Sequence, residues 1–308
     1  MRRISNSTQP VSRYPYYLWA ARALPHVLFA RATSKTCFGF GQMEPFFRDR
    51  IGIEFGGPSS IFTRTRLIPV YPISRRVDQC NFSKDVIWAS TRESVVAEAA
   101  SPSGLKDESY EFVLASHVLE HLANPLRALM EWKRILRLGG AVLVVVPHKA
   151  GTFDHRRPFS TFSHIEEDYR RNVTEADLTH LPEVLELHDL ALDPGAGMME
   201  QFRERCLMNA SVRAMHHHVF SPDLLVHMFD YAGMDVLNVA VERPYHIIVL
   251  AQTLSPTVDR TQTKNPNILK ADAEWRKKAP FLCEPNQTMP CSHLSFDDLF
   301  SSGRCLSQ

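Results

Sequence analysis

SYEFVLASHVLEHLANPLRALMEWKRILRLGGAVLVVVP, residues 109–147, contains two strand signals with a helix between them. Phe112–Ala115 is a short apolar run of strand length. Asn124 offers a side-chain cap and Pro125 suits the first helical position, where its missing N–H costs nothing. Leu126, Leu129, Trp132, Lys133 and Leu136 then recur at helical spacing, and Gly139-Gly140 reads as the stop. Ala141–Val146 is apolar on both parities, as expected of a strand with both faces covered.

The same alternation extends in both directions. Ile51–Phe55 and the neighbourhood of Val77 read as strands upstream, and Val236–Val241 and His246–Ala251 downstream. Ser221-Pro222 opens a second capped helix whose stripe is Leu224, Leu225, Met228, Phe229 and Ala232, closed by Gly233. Strands alternating with helices imply an α/β fold with a Rossmann-like, doubly wound, mostly parallel sheet covered by helices on both faces. Only Glu242–Tyr245 separates the last two strands. That is too short for a crossover, so they form an antiparallel C-terminal hairpin.

The chain has 308 residues, 44% hydrophobic, enough for one large α/β domain with extensions. Residues 1–49 read as a basic, aromatic N-terminal extension, 50–252 as the domain with a His-rich insertion at 148–220, and 253–308 as a polar tail. A net charge of +1 gives no overall pull toward nucleic acid, and none is expected as a partner. No run approaches the roughly 18–20 apolar residues of a bilayer span. Residues 1–43 hold no Asp or Glu but carry Arg2, Arg3, Arg13, Arg22, Arg31 and Lys35, a composition shared with organelle transit peptides. A lead-in helix of a cytoplasmic enzyme is the preferred reading. The six cysteines form no CxxC pair and read as reduced thiols; the spacing of Cys283, Cys291 and His293 is not that of a standard zinc site. The sequon at Asn286 carries no meaning without a secretory signal.

Two features point to a ligand. Ile53-Glu54-Phe55-Gly56-Gly57-Pro58-Ser59 takes a strand into a glycine turn at the carboxyl edge of the sheet, where doubly wound folds bind ligands. It lacks the lysine of a phosphate loop and the GxGxxG spacing of a pyrophosphate site. Asp78 follows 24 residues after Glu54, where an acid can accept a ribose hydroxyl pair. With Ser116-His-Val-Leu-Glu-His121, the capped helix, Gly139-Gly140 and the strand ending Val146-Pro147, the ordered block 50–147 closely resembles class I S-adenosylmethionine-dependent methyltransferases of the broad methyltransferase-domain group. The resemblance implies the class I methyltransferase fold and S-adenosyl-L-methionine as cofactor. It implies that Glu54, Gly56 and Gly57 hold the methionine end and that Asp78 binds the ribose. Glu98 and Ala99 would lie near the adenine, and Ser116 and His117 below the sulfonium. Two departures stand out: Pro58-Ser59 replaces the third glycine of the first motif, and Leu138 precedes the glycine pair where the family has proline.

Methyl transfer to a hydroxyl needs alignment and a base, and histidine titrates in the useful range. The insertion is dense in histidine, and its start follows the strand Ala141–Val146. His148 and His155 are therefore the expected bases, with Asp154 or Asp189 orienting an imidazole and Arg156-Arg157 suited to an acceptor anion. His121 reads as a packing residue. No metal ligands are assigned, although His and Asp at several insertion positions could build a divalent site. The expected reaction is methyl transfer to an oxygen or nitrogen of a small-molecule or glycan-like acceptor. The alternatives are a degenerate scaffold of the same fold and a His/Asp metal-dependent hydrolase. The Glu-x-Gly-Gly turn and Ser-His-x-Leu-Glu-His block argue against the hydrolase, and the retained Glu54, Gly56, Gly57 and Asp78 against the scaffold.

Overall fold

A computed structural model describes residues 35–84, 94–254 and 265–281. The expectations for residues 1–34, Asn286, Cys283, Cys291 and His293 lie outside the described residues. Seven strands form one sheet: β1 Ile51–Phe55, β2 Arg76–Asn81, β3 Ser94–Val96, β4 Tyr110–Ser116, β5 Leu136–Pro147, β6 Met234–Glu242 and β7 His246–Thr253. Their order is β3-β2-β1-β4-β5-β7-β6. The first five are parallel, and β7 pairs antiparallel with both β5 and β6. This is the doubly wound sheet with an antiparallel C-terminal hairpin. Three-residue β3 carried no readable signal of its own.

Helix α1, Pro125–Ile135, starts where the sequence places it: the Asn124 side chain accepts from the Arg127 backbone N–H at 3.0 Å. Its end differs from expectation. The helix stops at Ile135 and Leu136 already belongs to β5, so Gly139-Gly140 lies inside a strand rather than capping a helix. The register with β4 shifts there, between Tyr110 and Phe112, and Gly139 takes φ 75°, a bulge that glycine permits. The insertion supplies α2 Phe162–Arg170, α3 Leu181–Leu187 and α4 Met199–Leu207, with a small core of Val184, Phe202, Cys206 and Met215. Helix α5, Pro222–Tyr231, is capped by Ser221, which accepts from the Leu224 N–H at 3.1 Å.

One face of the sheet is covered by α1 and α5, with Phe55 stacked on Trp132 at 5.3 Å. Among the described residues, no long helix covers the other face. Phe40, Met43, Phe47, Phe62, Ile68 and Val70, from single turns and loops, bury Phe112, Leu114, Leu143, Val145, Ile248 and Leu250. The stretch between β1 and β2 holds only a turn, Ser60–Phe62. Residues 265–281 of the expected tail pack on the first face, where Trp275 and Phe281 are buried. Among the described residues no helix is long and apolar enough to cross a membrane.

Candidate active site

The carboxyl edge of the parallel strands opens into a cavity of about 710 Å³, within the usual size range of a cofactor site. Gly56, His117, Val118 and His121 form its floor. Asn81, Phe82, Ala97, Glu98 and Ala99 also line it, as do Phe153, Asp193, Arg205, Arg213 and His216 from the insertion.

Of the residues proposed from sequence for the cofactor, Gly56, Glu98, Ala99 and His117 line this cavity, and Glu54, Gly57, Asp78 and Ser116 do not. Gly56 has φ 75°, and a Cβ there would lie 2.3 Å from Val118 Cγ2. Glu54 is fully buried behind the turn. Its carboxylate accepts from the Ser59 N–H at 3.0 Å and from the Tyr71 hydroxyl. Burial raises its pKa despite those hydrogen bonds. Gly57 is required by that packing, since a Cβ there would lie 2.2 Å from the Glu54 carboxyl carbon. Glu54 and Gly57 thus build the turn from behind.

Asp78 departs from its expected position. It pairs with Ile53 in the middle of β1, three positions before β2 ends. Arg76 Nε contacts it at 2.9 Å and the Tyr110 hydroxyl donates to it at 3.0 Å. The strand end facing the cavity carries Asn81, whose amide donates to the Gly57 carbonyl at 3.0 Å. Ser116 is buried at the end of β4, while His117, next to it, has the left-handed backbone that side chains seldom adopt (φ 55°). Glu98 is gripped by Arg213 at 2.7 Å, so the insertion is tied to the segment after β3.

The expected bases are also displaced. His148 is 1% exposed and off the cavity. Its Nδ1 accepts from the Ala150 N–H at 3.2 Å and its ring stacks on Phe281 at 4.8 Å. His155 lies outside the cavity, 3.0 Å from Asp189. Asp154 is buried one layer back, holding His216 Nδ1 at 2.5 Å and Arg157 Nη1 at 3.1 Å. The residue it orients, His216, is on the cavity wall and was not singled out from the histidine triplet.

Burial pulls His148 down to about 4, helped by Lys149. In the unfolded chain the same ring titrates near the ordinary 6.5. The native state therefore resists a proton that the unfolded state accepts, and stability present above pH 6.5 is lost as pH falls toward 4. From pH 6.5 to 5 this ring alone costs about 2 kcal/mol. His148→Asn keeps an acceptor for the Ala150 N–H and removes the titration. The variant is expected to start with a lower melting temperature at pH 7 and to lose less of it by pH 5. Equal losses in the two proteins would refute a neutral, buried His148.

Around His216 three potential ligands converge. Glu120, His121 and His216 each offer an atom, all within 4.8 Å of one another. Glu120 is 1% exposed, and neither of its carboxylate oxygens has a hydrogen-bond partner among the described residues. Burial works against its charge, but His117, at 3.3 Å, and the two other imidazoles hold its pKa below the usual value. His121 uses Nδ1 on the Met215 carbonyl at 3.1 Å, and burial with His216 nearby lowers it to about 4. For His216 burial lowers the pKa, but the Asp154 and Glu120 charges prevail and the net shift is upward.

Residues 63–144 match the model of a family described as a methyltransferase domain. No curated protein matches. Among solved structures, the chain is similar to a SAM-dependent methyltransferase from Methanosarcina mazei, with 18% identity over 69% of this chain and 97% of that one and a TM-score of 0.42. Another, from Aquifex aeolicus, has 13% identity over 71% and 90%, with a TM-score of 0.40. A third, a possible histamine N-methyltransferase from Thermotoga maritima, has 18% identity over 78% and 95%, with a TM-score of 0.38. The family match covers the strand–loop–helix–strand block from the Ser-His-x-Leu-Glu-His motif into β5, and the sheet around it has the doubly wound order with an antiparallel hairpin. Residues 63–144 thus match a methyltransferase domain, set in a sheet of the doubly wound, class I kind of fold.

Proposed function

We propose that the enzyme methylates a hydroxyl or amine of a small, polyhydroxylated or glycan-like acceptor, with His216 as the base. The observation that carries this is the Asp154–His216 pair: a histidine that lines the cavity has its Nδ1 held by a buried carboxylate. Asp154 binds Nδ1–H and so leaves Nε2 free to accept a proton, the arrangement a general base needs. Phe153, Asp193 and Arg205, which also line the cavity, suit an acceptor that stacks on one face and hydrogen-bonds on its edge.

S-adenosylmethionine supplies a methyl group already activated on a sulfonium. Gly56, Ala97, Glu98, Ala99 and His117 line the cavity, which supports them as its contacts. Glu54 and Gly57 act indirectly by fixing the turn. Asn81, at the strand end, is a better candidate than Asp78 for the sugar hydroxyls. The chain's own work is then to hold the acceptor oxygen in line with the methyl, to exclude water, and to take the acceptor proton on His216 Nε2.

A second reading rests on the buried Glu120 carboxylate, which has only the His117 ion pair and no well-directed hydrogen bond: with His121 and His216 it suits a divalent cation that would itself activate the acceptor. Methyl transfer from labelled S-adenosylmethionine to a panel of sugars, polyols, amines, and thiols and carboxylic acids that lack hydroxyl and amine groups, with and without chelator, tests both. Transfer insensitive to chelator supports the base. Transfer abolished by chelator and restored by magnesium or manganese supports the cation. Transfer only to acceptors without hydroxyl or amine groups would overturn the proposed acceptor class.

A further inference from the structure

A second cluster lies outside the cavity. His164 and Asp168 sit four residues apart on α2 and so share a face. His180 immediately precedes α3, and His218 comes from the extended segment before α5. Their ligand atoms all lie within 4.8 Å of one another. His164 Nε2 is 2.7 Å from His180 Nε2 and 3.4 Å from Asp168 Oδ2, and His218 Nε2 is 3.7 Å from the same oxygen.

Hydrogen bonding alone accounts poorly for this packing. Asp168 is 3% exposed, yet its Oδ2, facing the His164 and His218 Nε2 atoms, makes no well-directed hydrogen bond among the described residues, and His218 Nε2 has only the Ala123 carbonyl, at 3.2 Å, which a bound ion would displace. The two facing Nε2 atoms of His164 and His180 share at most one proton. Ligand atoms around a tetrahedral ion with bonds of 2.0–2.2 Å lie about 3.4 Å apart, in the middle of the observed spacings. Three imidazoles with one carboxylate are a donor set that zinc accepts.

We propose that His164, Asp168, His180 and His218 form a structural zinc site. Four protein ligands from three elements complete a tetrahedral shell, leaving no position for substrate. The ion ties α2 and the start of α3 to the segment that carries His216 two residues before His218. Asn124, the cap of α1, donates to the Asp168 backbone carbonyl at 3.1 Å, joining the site to the core helix. The Glu120 cluster uses other residues and is a separate question.

The test is zinc content of the full chain by mass spectrometry after equilibration with zinc and desalting, with melting temperature alongside. Wild type should retain one equivalent at this site and melt higher with zinc than without. His164→Gln changes the most exposed ligand, and Asp168→Asn keeps the shape of the buried one. Each should lose one equivalent and the zinc-dependent rise in melting temperature, while Glu120→Gln keeps both. Cobalt in place of zinc should give the intense visible bands of a tetrahedral ion in wild type and not in His164→Gln. Zinc retention unchanged in both variants, or a wild-type chain that holds no zinc and melts the same with it, would overturn the site.

Discussion

A His216→Gln enzyme turns over on the order of 10²–10⁴-fold more slowly than the parent, with affinity for S-adenosylmethionine unchanged. Glutamine preserves a polar side chain at the cavity wall but cannot take up the acceptor proton. Asp154→Asn should reduce kcat as well, because an amide at 2.5 Å from Nδ1 no longer demands the tautomer that leaves Nε2 free. Asp154 also neutralises buried Arg157, so this second variant will lose stability too and must be compared at a temperature where it is folded. The measurement is kcat at saturating cofactor, with cofactor affinity from calorimetry. A His216→Gln enzyme within threefold of the parent would eliminate His216 as base. Recovery of His216→Gln by added divalent cation would point to the Glu120 cluster instead.

Gly56→Arg abolishes cofactor binding while far-ultraviolet circular dichroism stays that of the parent. The residue has φ 75°, where a side chain costs about 1–2 kcal/mol of backbone strain. Its Cβ would press on Val118 Cγ2, and the rest of arginine would enter the cavity. Affinity should fall at least 100-fold. Gly56→Ala is expected to fall between, and Val118→Ala added to it should restore part of the loss by removing the atom the new Cβ meets. Calorimetric titration with S-adenosylmethionine and S-adenosylhomocysteine reads all three. Wild-type affinity in Gly56→Arg would mean that this turn does not touch the cofactor.

The fold was legible wherever local chemistry decides it. Asn124-Pro125 and Ser221-Pro222 cap helices in any context, and the short link after Glu242 permits only a hairpin. The covering of the second sheet face was not legible, because Phe40, Phe47, Phe62 and Ile68 come from loops, which have no period. The register of Asp78 is not legible because β2 lacks a long apolar run to mark its end, and spacing from Glu54 does not supply it. Nearness in sequence to β5 favours His148 as a base. The chain turns aside there, through the short turn Lys149–Gly151, and folds the ring under Phe281. His216 was hidden inside three identical letters, since a sequence does not say that neighbouring histidines face different ways.

That triplet constrains how homologous chains can vary in length. His216 turns to the cavity, His217 to Asn209 at 2.9 Å, and His218 to the α2 cluster. Gain or loss of one residue between Met215 and Val219 would exchange these destinations, delivering the wrong imidazole to each. Insertions in the exposed turns of residues 171–212 away from His180 and Asn209 carry no such penalty. Length differences among relatives should therefore accumulate in those turns and stop sharply at the triplet.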